Sequence, residues 1–427
     1  MGEAEVKATR FAHAVLLLLL LVGLPYLLAA CGDDEGAVTT VTPEATAGTT
    51  APDNGTSGQM ESLRIGGIFS ITDWYSAVDA TERTDAEALV KVVNDGGGIT
   101  VQGKKYQIEL IVQDGKSTLD GNTSAANKLV IDDKVKFSVG PSAFFNVATT
   151  PIYEQAKVLH ILTNTACQPG EINADTPYGF VCNDPLGMYG GAVKALLQLY
   201  PDVKNVAMAL GEDSATPYQW PHMEKMYASM GLKLVDEPVK FSQTLEDYNP
   251  IAAKLHSYAD EADAYLFAMA TPPSFAAIAK GLRALGDNTP IAYPAFAPGT
   301  VSLVGAEYAT NIVNSGSFGY KAPDNPEIVD KVFEVGGDTQ RQFLGLAPNA
   351  VYMLLKAIEA ADSLDPEVVR TKWESMESVE TLYGEGFPTG EQVYGLKNHA
   401  WVYPTCVTHI MDGNFEFVGW VTPDPVP

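Results

Sequence analysis

The chain has 427 residues, with 53 acidic side chains against 27 basic ones and a formal net charge of −26. Binding to nucleic-acid phosphates needs clustered cations, so this charge excludes nucleic acid as a partner and serves mainly solubility. The length exceeds what one ordinary core organises, and two domains or lobes are expected.

At the amino end, Lys7 and Arg10 precede an apolar run from Ala14 to Leu28, and Leu28-Ala29-Ala30-Cys31 is a small-residue cleavage site ending in cysteine. This order resembles a bacterial lipoprotein signal peptide. The run is short for a bilayer crossing, contains Gly23 and Pro25, and has no positive flank on its far side. Cleavage before Cys31 and lipidation of its thiol are expected, which would anchor the protein by acyl chains at an extracytoplasmic membrane surface. Residues 32–62 are rich in Thr, Ala, Gly, Pro and acidic residues without a periodic apolar face, and they read as a flexible tether.

The folded body begins with a strand over 64–69 and the loop Ser70 to Tyr75. A helix with Ala86, Leu89, Val90 and Val93 on one face then ends at Asp95-Gly96-Gly97-Gly98. A strand over 106–113 follows. Between them, Gly98 to Lys104 nearly matches a phosphate-binding loop, but position 105 is Lys and the glycines follow a helix, so it reads as a connection only. A helix over 117–131 leads into a βαβ unit: strand 137–139, helix 146–156, strand 158–162.

In a parallel sheet the loops leaving neighbouring strands point the same way. Ser142-Ala143-Phe144-Phe145 and Thr163-Asn164-Thr165-Ala166 should therefore share the rim of one crevice. The first loop also opens a helix, whose free amides suit a carboxylate or other anion. Equally open is the reading in which Phe144 and Phe145 are core and Ser142 is a helix cap.

After a strand over 178–182 the alternation restarts: helix 186–199, strand 205–210, helix 217–230, strand 232–235, a helix from Asn249-Pro250, strand 264–269, a helix ending at Gly286, and strands 291–293 and 312–318. Helices 326–335 and 346–361 then follow one another without a strand, and Asp365-Pro366 begins a third. Strand-like pieces over 399–410 and 415–421, joined by Asp412-Gly413-Asn414, close the chain. The fold class is α/β, with two doubly wound Rossmann-like lobes.

Besides Cys31 the chain carries Cys167, Cys182 and Cys406. An exported location permits disulfides, and the turn-rich segment between Cys167 and Cys182 predicts a loop closed by that pair, with Cys406 free. An anchored hydrolase finds no support. There is no Gly-x-Ser-x-Gly elbow, the histidines are scattered, and no catalytic set, metal site or cofactor motif can be assembled.

Lipobox, tether, the Ser70 loop, Asn94-Asp95-Gly96-Gly97-Gly98-Ile99, the Gly140-Pro141 loop, Ile152-Tyr153-Glu154, and Gly281-Leu282-Arg283-Ala284-Leu285-Gly286 occur in order. Together with the terminal Asp412-Gly413 turn, they resemble the type I solute-binding lipoproteins of ABC importers, in particular the branched-chain amino acid (Leu/Ile/Val-binding) family. The resemblance covers residues 63–422.

It implies lobe I over 63–183 plus 317–398 and lobe II over 184–316 plus 399–427. Three crossovers, near Asn183, Ser315-Gly316 and His399, would form a hinge closing on ligand. It further implies a monomer that delivers an amino acid to ABC permease subunits; the alternative is a ligand-sensing binding protein for amides or aromatic carboxylates. By the family pattern Ser142 or Ala143 would hold a ligand carboxylate together with a rim threonine, whose place is taken by Cys167 with the backbone of Thr165 and Ala166 before it; Phe144 and Asn164 would line the same rim. Tyr218 and Glu246 would contribute from the second lobe, and Trp74 and Phe296 would cover the apolar end. Leu245 stands where the family places a carboxylate, which leaves a ligand ammonium without its usual counter-ion.

Overall fold

The computed structural model describes residues 60–294, 297–316, 319–320, 322, 324–336 and 343–426. The expected signal peptide, Cys31, the tether and Phe296 lie outside the described residues. No helix among the described residues is long and apolar enough to cross a membrane.

The chain runs through β1 (Glu61–Phe69), α1 (Ser76–Asp95), β2 (Ile99–Val101), β3 (Lys104–Asp114), α2 (Leu119–Ile131), β4 (Phe137–Val139), α3 (Asn146–Ala156), β5 (Leu159–Leu162) and β6 (Gly179–Val181). It continues with α4 (Pro185–Leu199), β7 (Asn205–Glu212), α5 (Thr216–Ser229), β8 (Lys233–Leu234), β9 (Val239–Ser242), α6 (Asn249–His256), β10 (Ala264–Ala268), α7 (Pro272–Ala284), β11 (Ile291–Tyr293), α8 (Ala297–Val304) and β12 (Ile312–Gly316). The last part adds β13 (Gly319–Tyr320), α9 (Glu327–Val335), β14 (Phe343–Leu344), α10 (Ala347–Ala361), α11 (Pro366–Glu374), β15 (Val379–Thr381), β16 (Gly384–Thr389), α12 (Glu391–Tyr394), β17 (Ala400–Val402), β18 (Thr405–Met411) and β19 (Asn414–Val421).

Two parallel-rich sheets result. One has the order β15-β16-β17-β6-β5-β4-β1-β3-β2; the other has β19-β18-β12-β11-β10-β7-β8, with β9 also on β7. Strands β4, β5, β10 and β12 are buried along their whole length, as expected for central strands covered by helices on both faces.

Some elements escaped the sequence, and one expected strand needs correction. Strand β9 and the hairpin β15-β16 had no reading in the sequence. Gly384, Gly386 and Pro388 make the hairpin look like a loop, yet β15 pairs only with Gly384–Gly386, so Pro388 sits where β16 has one partner strand and its missing N–H costs nothing. The expected continuous strand over 399–410 is cut by Pro404, with β17 in the first sheet and β18 in the second. The third passage between sheets thus falls at Tyr403-Pro404, not near His399.

Helix α4 is the pillar between the sheets. Its Leu186, Val193 and Leu196 pack into the core of the second sheet. Gly187 lets it approach β17 of the first, where an added Cβ would meet Val402 Cγ1 at 2.3 Å. Beyond β19 the chain turns back across the same boundary. Val426 N donates to Thr389 Oγ1 (2.6 Å), Gly390 N donates to the Val426 carbonyl (2.7 Å), and Lys194 pairs with Asp424 (2.5 Å).

Helix α1 carries an acidic stripe into the interior. Asp79, Glu82 and Asp85 are at most 5% exposed. Glu82 accepts from Ala347 N (2.6 Å) and Asp85 from Gly345 N (2.7 Å), so both meet the amino end of α10, where the helix dipole favours negative charge. Burial pushes Glu82 up to about 7; the amides of Ala347 and Leu346 oppose the shift, and Asp79 and Asp85 add to it. Burial likewise raises Glu154 to about 7 and Asp184 to about 6.

A carboxyl whose folded value lies above its unfolded value holds its proton more tightly when folded. Its contribution to stability is complete below the unfolded value and is lost as pH rises through the folded one. For Glu82 that window runs from 4.5 to about 7. Scanning calorimetry should therefore show Tm falling across this window, and Glu82→Gln should flatten the fall; an unchanged slope would assign the effect elsewhere.

Candidate ligand-binding cleft

Each sheet has one place where the chain reverses its direction of travel across the strands. In the first, β1 lies between β3 and β4; in the second, β7 lies between β10 and the β8-β9 edge. At such points the loops leaving adjacent strands diverge to opposite faces and open a crevice beyond the carboxyl ends. The loops concerned are 70–75 after β1 and 140–145 after β4, then 213–215 after β7 and 269–271 after β10. The first sheet adds the loop 163–168 after β5.

The two rims touch. Gln219, on α5 of the second half, donates from Nε2 to the carbonyl of Thr165 at 3.3 Å. Gln219 is 4% exposed, so the contact is made inside the boundary, away from bulk solvent.

Four rings gather at the first switch point. Trp74 and Tyr75 from one loop and Phe144 and Phe145 from the next lie with all six centroid separations between 5.2 and 6.5 Å, mostly edge-on. This spacing means that the rings pack on one another, the geometry aromatic quadrupoles favour. The cluster presents an apolar ridge, because Trp74 is 68% and Phe144 43% exposed while Phe145 is buried. Trp74 is fixed by its Nε1–H on the Ser117 carbonyl (3.1 Å).

Buried or half-buried carboxylates hold the rim loops in shape. Asp79 accepts from Ser70 N and from the Ser142 hydroxyl, both at 2.7 Å, and so ties the β1 loop to the β4 loop. Asp114 accepts from Ile71 N (2.9 Å) and the Thr72 hydroxyl (2.9 Å). Glu171, fully buried, accepts from the Thr165 hydroxyl (2.7 Å), Ala166 N (2.9 Å), Gln168 N (2.9 Å) and Asn146 Nδ2 (3.1 Å). On the opposite rim an exposed carboxylate does the same locally, Asp213 taking Ala215 N (2.8 Å) and Thr216 N (3.1 Å). Burial raises the carboxyls of Asp79 and Glu171 above the ordinary range, and these donors act against that rise.

Trp74 and Phe144 therefore meet at one switch point, Asn164, Thr165 and Ala166 stand on the neighbouring loop, and Ala143 lies in the 3-10 turn over Ala143–Phe145. Ser142 neither caps that turn nor offers its hydroxyl to the cleft, because Asp79 takes it. The Thr165 hydroxyl is likewise turned to Glu171. Tyr218 is partly exposed on the first turn of α5, and Glu246 is exposed on the connection from β9 to α6.

The expected Cys167–Cys182 bridge is absent, and both thiols are free. Cys167 Sγ lies 3.5 Å from the Tyr394 hydroxyl, whereas Cys182 Sγ lies 3.6 Å from Met353 Sδ against α10. The two cysteines belong to different packing environments, which spacing in the sequence could not reveal.

Asp79, Glu171, Asn146 and Gln219 were not identified from sequence as parts of this site. A signal existed for Asp79: positions 79, 82, 86, 89 and 93 follow helical spacing, so the acids continue the apolar stripe that faces the core. Glu171, in a turn, had none.

The Periplasmic binding protein family model matches residues 62–402. The chain belongs to the periplasmic binding protein family. Solved structures with the same type I fold include three similar chains. The branched-chain amino acid transporter substrate binding protein of Streptococcus pneumoniae, in complex with isoleucine, shares 19% identity over 85% of this chain and 100% of that one, at TM-score 0.65. An ABC transporter substrate-binding protein from Sphaerobacter thermophilus gives 17% identity, 86% and 99% coverage, and TM-score 0.67. A solute binding protein of an ABC transporter from R. palustris, in complex with benzoate, gives 15% identity, 85% and 97% coverage, and TM-score 0.61.

Two outcomes are expected for this periplasmic binding protein. Glu171→Ala leaves several buried donors without an acceptor and should lower stability by about 2–4 kcal/mol in urea unfolding, far more than a surface substitution. Peptide mapping after denaturation without reductant should find Cys167, Cys182 and Cys406 all alkylated. A peptide joined through Cys167 and Cys182 would contradict the structure.

Proposed function

We propose that this periplasmic binding protein is the solute-binding component of an ABC importer. It is held outside the cytoplasmic membrane by lipid on Cys31 and captures a small organic solute between its two rims for delivery to permease subunits. The observation that carries this reading is the contact of the two rims through Gln219 and Thr165 beside an exposed aromatic ridge. A solute placed there touches both halves at once, which is what couples binding to closure.

The protein works as a monomer of two lobes, with passages near Asn183, Ser315-Gly316 and Tyr403-Pro404 serving as the hinge. Its part is capture and release, without catalysis. Trp74 and Phe144 receive the apolar body of the solute, while the loop of Asn164, Thr165 and Ala166, with Tyr218 and Glu246 across the cleft, sets its orientation. Similar folds hold isoleucine and benzoate, which share a compact apolar body, and a branched-chain amino acid or a related solute is the first class to try.

Calorimetric titration of the mature protein with amino acids, amides and aryl carboxylates tests the reading. A binding solute should reduce the radius of gyration in small-angle scattering. Trp74→Ala should weaken binding by about 1–2 kcal/mol, roughly ten-fold, through loss of aromatic contact. An unchanged scattering curve at saturating solute would remove the closure model.

A further inference from the structure

We infer that the head group this cleft holds is an N–H donor, an ammonium or a primary amide, and not a carboxylate. This rests on the solute-binding reading above and narrows it to a class of ligand.

The argument starts with the donors on the rims. A ligand carboxylate has only acceptor atoms and needs N–H or O–H groups pointing at it. Many rim donors are already engaged by the protein itself. Asp79 holds Ser70 N and the Ser142 hydroxyl, and Asp114 holds Ile71 N and the Thr72 hydroxyl. Glu171 holds the Thr165 hydroxyl, Ala166 N and Gln168 N, while Cys167 N donates to Thr165 Oγ1 at 2.9 Å. Across the cleft Asp213 holds Ala215 N and Thr216 N, and Gln243 Oε1 holds Thr271 N at 3.1 Å. At these donors a bound carboxylate would have to displace a carboxylate built into the chain, and it would add negative charge beside Asp79 and Glu171.

The acceptors show the opposite condition. Gln219 Oε1 and Asn146 Oδ1 are buried and have no hydrogen-bond partner among the described residues. Gln219 is 4% exposed and Asn146 fully buried. Both flank the same loop, because Gln219 Nε2 donates to the Thr165 carbonyl and Asn146 Nδ2 to the Asn164 carbonyl at 2.9 Å. Neither amide can be turned over to reverse the pattern: their NH2 groups face carbonyl oxygens and, for Asn146, also Glu171 Oε1. The two unpartnered side-chain atoms beside this loop are therefore both acceptors, while on the loop after β1 the buried Ser70 hydroxyl, also unpartnered, can donate or accept. A ligand N–H satisfies such an acceptor and recovers its desolvation cost, which a carboxylate cannot do. The exposed faces of Trp74 and Phe144 accept an apolar body, and they favour a cation over an anion.

Matched probe series test the inference by calorimetric titration of the mature full-length protein: benzamidine, benzamide and benzoate, then isoamylamine, isovaleramide and isovalerate. Within each series the N–H-bearing members should bind at least ten-fold more tightly than the carboxylate. Gln219→Met keeps a side chain of similar length and removes the open acceptor. It should bring the ratio within a series to less than three-fold, with a cooperative unfolding transition, lowered only by the loss of the bond to the Thr165 carbonyl, showing that the fold is intact. The ratio is the decisive quantity, because a general loosening of the rims would weaken all members alike. Equal or tighter binding of the carboxylates overturns the inference and leaves the solute-binding reading standing. If no member of either series binds to folded protein while an amino acid does, the inference falls alone; if the amino acids fail too, both fall.

Discussion

The two oxygens of Asp79 are divided between a backbone amide of one rim loop and a side-chain hydroxyl of the next. Sheet topology makes those loops neighbours, since β1 and β4 are adjacent parallel strands, but topology fixes neither their separation nor their shape. A buried carboxylate does so at high cost if left alone, and Asp79 is tolerable inside only because it collects donors from both loops. Glu171, fully buried, and Asp114, half-buried, collect donors in the same way, and exposed Asp213 does so within its own turn. Part of the chain's large acidic excess is therefore structural: several carboxylates stand at loop amides and helix amino ends, as buried anions must.

This internal use of acids gives the cleft its electrostatic character. Parallel strands and the helix amino ends beyond them ordinarily leave a concentration of free N–H groups, which is why such crevices attract anions. Here part of that concentration is neutralised from within. Beside the loop after β5 stand two unpartnered amide carbonyl oxygens and, at the loop after β4, an aromatic ridge. The chemistry of the opening thus differs from what the fold alone would suggest.

Much of the fold could be read from the sequence, because buried parallel strands and amphipathic helices leave strong periodic signals. Phe137–Val139, Asn146–Ala156 and Ile291–Tyr293 have the bounds that the pattern predicts. The signal failed where backbone chemistry and tertiary pairing compete, as in β16 with its glycines and proline, and at Pro404, where an apolar run changes sheets. At the cleft, the loops and the aromatic residues were legible as residue types, whereas the direction of each hydroxyl was not. Ser142 and Thr165 point inward because Asp79 and Glu171, distant by 63 residues in one case and by only 6 in the other, happen to fold beneath them. No periodicity encodes that choice. The cysteines teach the same lesson, since chain separation was compatible with a bridge and only packing directed the two sulfurs apart.

The return of the chain from β19 onto Thr389 and Gly390 has a mechanical meaning. The three covalent passages between the sheets can flex by small dihedral changes spread over several residues. A contact made of hydrogen bonds has less freedom, because such bonds keep to donor–acceptor distances of about 2.7–3.2 Å and weaken steeply when misaligned. With each worth about 1 kcal/mol net, the segment around Val426 behaves like a light detent, engaged or released as a unit. Rotation of one half against the other would then proceed between discrete settings, with this detent determining where the first one ends.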